Sequence, residues 1–221
     1  MEVIMFFRRR IVNKDQLVDL AYNFIEENGY ESLNEVSLAK KTHISKKKIR
    51  EIASLEEIKR LVFHKANEFY NRSLEEALKM SIPMKNVTLN SIIFASKHKN
   101  LFLFLIHMFA THTQEEYNFM NITNNTFENT VKELYGLSED ASKNYVTVMS
   151  VYTFGLCLLS ANSNGSLNIS SYASKLFDLS YAMCKTYYEH PELMNPKFDK
   201  EILFRDLVKS IAIDKAKKDE C

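Results

Sequence analysis

Six cations, Lys40, Lys41, Lys46, Lys47, Lys48 and Arg50, lie between Val36 and Arg50, and that stretch holds no Asp or Glu. Ammonium and guanidinium groups grip phosphate as point charges or as a two-pronged fork. Leu38, Ala39, Ile44, Ile49 and Ile52 are interleaved with them, so one side of the stretch can pack while the other offers charge. The spacing predicts two short helices, Glu35 to about Lys41 and Lys46 to about Ile52, joined by Thr42, His43 and Ile44. That is a helix-turn-helix whose second helix presents its cations outward. Lysines at a helix start oppose the positive end of the helix dipole, a conflict that a facing phosphate removes. The plainer alternative is a solvated basic face.

Other chemistry has less support. His98, His107 and His112 share no i, i+4 spacing and have no carboxylate positioned to complete a metal cluster. Cys157, Cys184 and Cys221 are odd in number and lack ligand spacing, which points to reduced thiols. A nucleophilic enzyme needs a strained elbow, and 4 Gly in the whole chain offer few places for one. Neither an enzyme nor a cofactor is expected.

The elements that must position the basic stretch can be read around it. Asn13 and Gln16 form a capping box for a first helix that buries Leu17, Ala21, Phe24 and Ile25 and stops at Gly29. Asn34 and Ser45 are placed to cap the second and third helices. Beyond Ala53 helical spacing continues to Pro83, then from about Val87 to Lys97, through the apolar piece from Leu101, and from about Gln114 to Tyr135. Gly136 ends that run. Ser138 begins a helix to about Ala161, with Ala141, Tyr145, Val148, Tyr152 and Leu159 in register and Gly155 inside it. Close approach of another helix could offset the cost of that internal glycine. A further helix runs from Ser170 or Ser171 to His190 and should pair antiparallel with its predecessor; a last one covers Asp199 to about Lys217.

Composition agrees with an all-α protein. Hydrophobic residues make up 46%, with 4 Gly and 3 Pro, and the formal net charge of +1 restricts any nucleic-acid site to a local patch. In MEVIMFFRRR the charges follow the apolar residues, the wrong order for a secretory signal. The densest apolar run, Leu101 to Ala110, is half the length of a membrane span. A cytoplasmic protein without a membrane partner is the expectation.

From about Ile11 to Val62 the chain resembles the TetR family of transcriptional regulators, through Leu17, Ala21, Phe24, Gly29, Leu38-Ala39, Ile44-Ser45, Ile49 and Glu56 to Leu61. The remainder matches in length and helicity only. The resemblance implies a DNA-binding domain over residues 1–54 and a helical effector-binding and dimerisation domain over residues 55–221. It also implies a homodimer built from two long late helices, and repression from a palindromic operator on double-stranded DNA. Within it, Ser45 would cap and touch phosphate, Lys46 and Lys47 would meet base edges, and Lys40, Lys48 and Arg50 would hold phosphates. His43 stands where the family has Gly, Arg50 where Tyr is common, Ile52 where an aromatic is usual and Leu55 where Lys is common. His43 and Leu55 motivate an alternative, a sensor or interaction module on the same fold with weakened or lost DNA binding. An effector in the helical part would be small and apolar or aromatic, oriented by His107, Asn124 or Tyr152.

Overall fold

The computed structural model describes residues 13–80, 83–112, 121–163 and 168–190, with the side chains of 121–125, 169 and 170 left aside. The expected helix from Asp199 to Lys217, the start of the one expected from Gln114, and Cys221 lie outside these residues, as does the side chain of Asn124. The described part is all-α: α1 (Lys14–Asn28), a 3-10 turn (Tyr30–Ser32), α2 (Glu35–Thr42), α3 (Lys46–Ile52), α4 (Leu55–Leu78), α5 (Pro83–Lys97), α6 (Lys99–Thr111), α7 (Asn121–Tyr135), α8 (Glu139–Asn162) and α9 (Ile169–Glu189).

Local chemistry accounts for the helix ends. Asn13 accepts from the Gln16 amide at 2.8 Å while Gln16 Oε1 accepts from the Asn13 amide at 3.2 Å, closing the capping box. Gly29 stops α1 at φ 81, a conformation costly for any residue with a Cβ. Pro83 does not interrupt a helix but opens α5, where its missing N–H is no loss and its fixed φ suits the first turn.

Leu17, Ala21, Ile25, Leu38 and Ile49 are fully buried and join α1 to α3 into a small headpiece, against which Ile44, Ile52 and Leu55 are half-buried. The same core continues through Ile58, Val62 and Phe63 of α4 into the helical body. There α4 packs on α1 and α5, and α8 packs on α5, α7 and α9. Tyr70 donates to Ser91 Oγ at 3.1 Å across the α4–α5 contact. The α8–α9 pair is antiparallel: Gly136 lies beside Tyr188, Tyr145 beside Cys184, and Met149 near Ala173 and Ser180.

Two departures from the expected packing concern α8. Its buried face is Ala141, Ser142, Tyr145, Val146, Met149, Thr153, Cys157 and Ser160, whereas Tyr152 is 51% and Leu159 53% exposed. Among the described residues, no atom beyond its own stretch of helix comes within 4 Å of a Cβ placed on Gly155, so no described helix approaches there. By length and composition α8 could cross a membrane, but its buried stripe is that of a core helix.

Candidate nucleic-acid interface

The helix-turn-helix is set by two caps and one strained residue. Asn34 Oδ1 accepts from the amides of Val36 and Ser37 at 2.9 and 3.0 Å, and Ser45 Oγ accepts from the Lys48 amide at 3.2 Å. Between them His43 adopts φ 57, ψ 28, the left-handed region, and is the one non-glycine residue with positive φ among the described residues. Thr42 supports the turn from inside by donating to the Leu38 carbonyl at 2.8 Å. Ile49, 1% exposed, pins α3 to the headpiece core, which leaves Lys46, Lys47, Lys48 and Arg50 on the outer side, all exposed. Lys40, on α2, is exposed as well.

The charge of this surface is less free than the composition of Val36 to Arg50 implies. Arg50 donates from Nε and Nη2 to the two carboxylate oxygens of Glu35 at 2.8 and 2.5 Å, tying α3 back to the first turn of α2. That bond, aided by the charges of Arg50 and Lys46 and opposed by desolvation, holds the Glu35 carboxyl below its usual range. Lys48 pairs with Glu51 at 3.2 Å and Lys41 with Glu27 at 2.7 Å. Lys40 and Lys47 form no ion pair among the described residues.

Glu27, Glu35 and Glu51 are therefore part of the site, and sequence reading passed over all three. Lys48 and Glu51 could have been paired from their i, i+3 spacing. Glu35 sits one residue before the acid-free stretch, and its link to Arg50 spans 15 residues, so nothing local announces it.

Of the residues expected to orient an effector, His107 and Tyr152 do not share a described cavity. His107 lines a cavity of about 200 Å³ between the 3-10 turn, α4 and α6, with its ring stacked on Tyr30 at 4.5 Å. Tyr152 is absent from that lining and half exposed on α8. Inside the body, a cleft among α5, α8 and α9, lined by Met84, Met149 and Leu176 among others, encloses only about 10 Å³. Among the described residues no three His, Cys, Asp or Glu side chains gather as a metal site. Burial pushes the Cys157 thiol up to about 12 and the Cys184 thiol to about 11, the behaviour of inert core cysteines.

A small helix-turn-helix headpiece continuous with a larger helical body is an arrangement seen in one-component regulators. The chain has that fold. It covers 92% of a protein from Pseudomonas aeruginosa PAO1 described as a putative transcriptional regulator, over 80% of its own length, with a TM-score of 0.62 and 9% identity. It covers 98% of a TetR-like transcriptional regulator from Rhodococcus sp. RHA1, over 82% of its own length, with a TM-score of 0.57 and 13% identity. At such identities the likeness establishes the TetR-like fold. No family model matches the sequence, and no curated protein matches it at a significant level.

Proposed function

We propose that the protein is a dimeric DNA-binding transcriptional regulator, a repressor that occupies a palindromic operator in the cytoplasm and answers to a small apolar or aromatic effector. Residues 1–54 form the DNA-binding part and residues 55–221 the effector-binding and dimerisation part. The observation that carries this reading is the Ser45-capped α3, whose buried Ile49 turns Lys46, Lys47 and Lys48 outward together. Inserted in a major groove, Lys46 and Lys47 meet base edges, while Ser45, Lys40, Lys48 and Arg50 hold backbone phosphates. The exposed apolar residues of α8 and α9, among them Val151, Tyr152, Leu159, Tyr172 and Leu179, supply the contact between two copies, a role in keeping with a patch of this kind.

The test is selection of genomic fragments by the purified chain, followed by titration of the selected duplex against salt. One enriched palindrome, with a salt slope that flattens in Lys46→Ala/Lys47→Ala, is expected. No enrichment even at low salt would defeat the reading. A second reading, a sensor or interaction module without DNA binding, is favoured by one observation: Glu27, Glu35 and Glu51 already neutralise Lys41, Arg50 and Lys48.

A further inference from the structure

The cavity beside His107 occupies a mechanical junction. Its wall on one side is the 3-10 turn that follows Gly29, and on the other side are Phe104, His107 and Met108 of α6, with Lys59 of α4 at the edge. Its floor is apolar, since Leu33, Phe104 and Met108 are all buried. The Tyr30 and His107 rings stack at an interplanar angle of 23° and form an aromatic side. At about 200 Å³ it is too small for a drug-sized ligand and suits a single ring with a short tail.

Its charge specifies the tail. Lys59 Nζ is held by Glu56 at 2.9 Å, whereas Glu31 has no ion-pair partner among the described residues. Glu56 stands outside the lining, so the Lys59 charge is already answered from beyond the cavity and Glu31 is left as the uncommitted carboxylate at its rim. An aromatic wall and an uncommitted carboxylate together favour a ring that carries a cation. We propose that this cavity binds a single-ring aromatic amine, with Glu31 accepting from its ammonium group and Tyr30, Phe104 and His107 contacting the ring.

The position of the cavity gives occupancy a consequence. The Ser32 carbonyl, in the turn that forms the wall, accepts from Ser37 Oγ at 2.8 Å and Asn34 Nδ2 at 3.3 Å, and Asn34 is the cap of α2. The other wall, α6, is moored to α1: Asn100 Nδ2 donates to the Glu26 carbonyl at 2.9 Å, and His98 Nδ1 lies 2.6 Å from Glu26 Oε1. A molecule in the cavity therefore bears on the start of the helix-turn-helix and on the body at once. That consequence rests on the regulator reading above; the binding itself does not.

The experiment is a calorimetric titration of the full chain, without DNA, using phenethylamine, with phenylacetate as the ring of opposite charge and butylamine as the charge without a ring. Saturable binding of phenethylamine is expected, weaker for both comparators by about tenfold or more, with a similar loss in Glu31→Gln. Glu75→Gln, an exposed carboxylate change late in α4, should bind as the parent does, and circular dichroism melting confirms that both variants fold. Equal binding of phenylacetate, unaltered binding by Glu31→Gln, or no saturable phenethylamine binding at millimolar concentration would each overturn the site. Failure of the regulator reading is read separately, from the fragment selection, so the two can fail independently.

Discussion

Arg50 on α3 and Glu35 at the start of α2 form a two-pronged ion pair across the helix-turn-helix, at 2.8 and 2.5 Å. The Arg50 side chain is 63% exposed, and exposed pairs of this kind contribute little to stability. A phosphate can therefore take the place of the Glu35 carboxylate. The pair restrains Arg50 at low cost, and contact with DNA exchanges one anion for another.

Releasing that restraint should strengthen DNA binding. Glu35→Gln is expected to raise affinity for a duplex several-fold at low salt, because Arg50 then reaches its phosphate without giving up a carboxylate, while the log–log salt slope, set by the same phosphate contacts, stays close to that of the parent. Fluorescence anisotropy at a series of salt concentrations measures both quantities. An unchanged affinity would mean that Arg50 does not reach DNA.

His43 carries the backbone strain of the turn, at φ 57. A residue with a Cβ loses about 1–2 kcal/mol in the left-handed region, part of which glycine returns through its greater freedom when unfolded. His43→Gly should accordingly stabilise the chain by about 0.5–1 kcal/mol. Urea denaturation of the two proteins, compared at equal m-value, decides it; a destabilised variant would show that the imidazole makes a contact worth more than the strain.

Val151 is 68% and Leu159 53% exposed, on the side of α8 where Gly155 meets no other described helix. Val151→Glu with Leu159→Glu should leave helicity intact and convert a dimer to a monomer in sedimentation velocity. If the parent chain already sediments as a monomer at micromolar concentration, this face serves no self-association.

Alkaline pH should unfold the protein through groups that are buried neutral. Burial holds the Cys157 and Cys184 thiols near 12 and 11 and raises the Tyr70 and Tyr145 hydroxyls. Their folded values lie above their unfolded ones, so the unfolded chain gives up protons first as pH rises. The stability they contribute is intact below about pH 9 and falls between about 9 and 12. Thermal melts across that range should show the decline, and the native Cys221→Ser chain should resist iodoacetamide at pH 8, where both remaining thiols are protonated. Rapid alkylation without unfolding would contradict their burial.

The headpiece was legible because its signals are local. A capping box at Asn13, caps at Asn34 and Ser45, and a stop at Gly29 each act within one helical turn, so they could be placed from neighbouring residues alone. The left-handed turn at His43 had no such local signal; only the resemblance, through the Gly the family has there, pointed to it. Helix existence in the body was legible too, through the period of Ile58, Ala66, Leu74 and their successors.

What the order of residues could not decide was which side of an element faces what. On α8 one apolar line holds Tyr145 and Met149 and another holds Val148, Tyr152 and Leu159; a 3.6-residue period marks both, and only packing against α5, α7 and α9 buries the first and leaves the second largely open. The basic stretch obeyed the same limit. Sequence alone determined that six cations lie together on a helix-turn-helix. The tertiary structure decided which of them already have partners, because Glu27 and Glu35 reach Lys41 and Arg50 across the gaps between helices, where Coulomb attraction depends on distance in space and not along the chain.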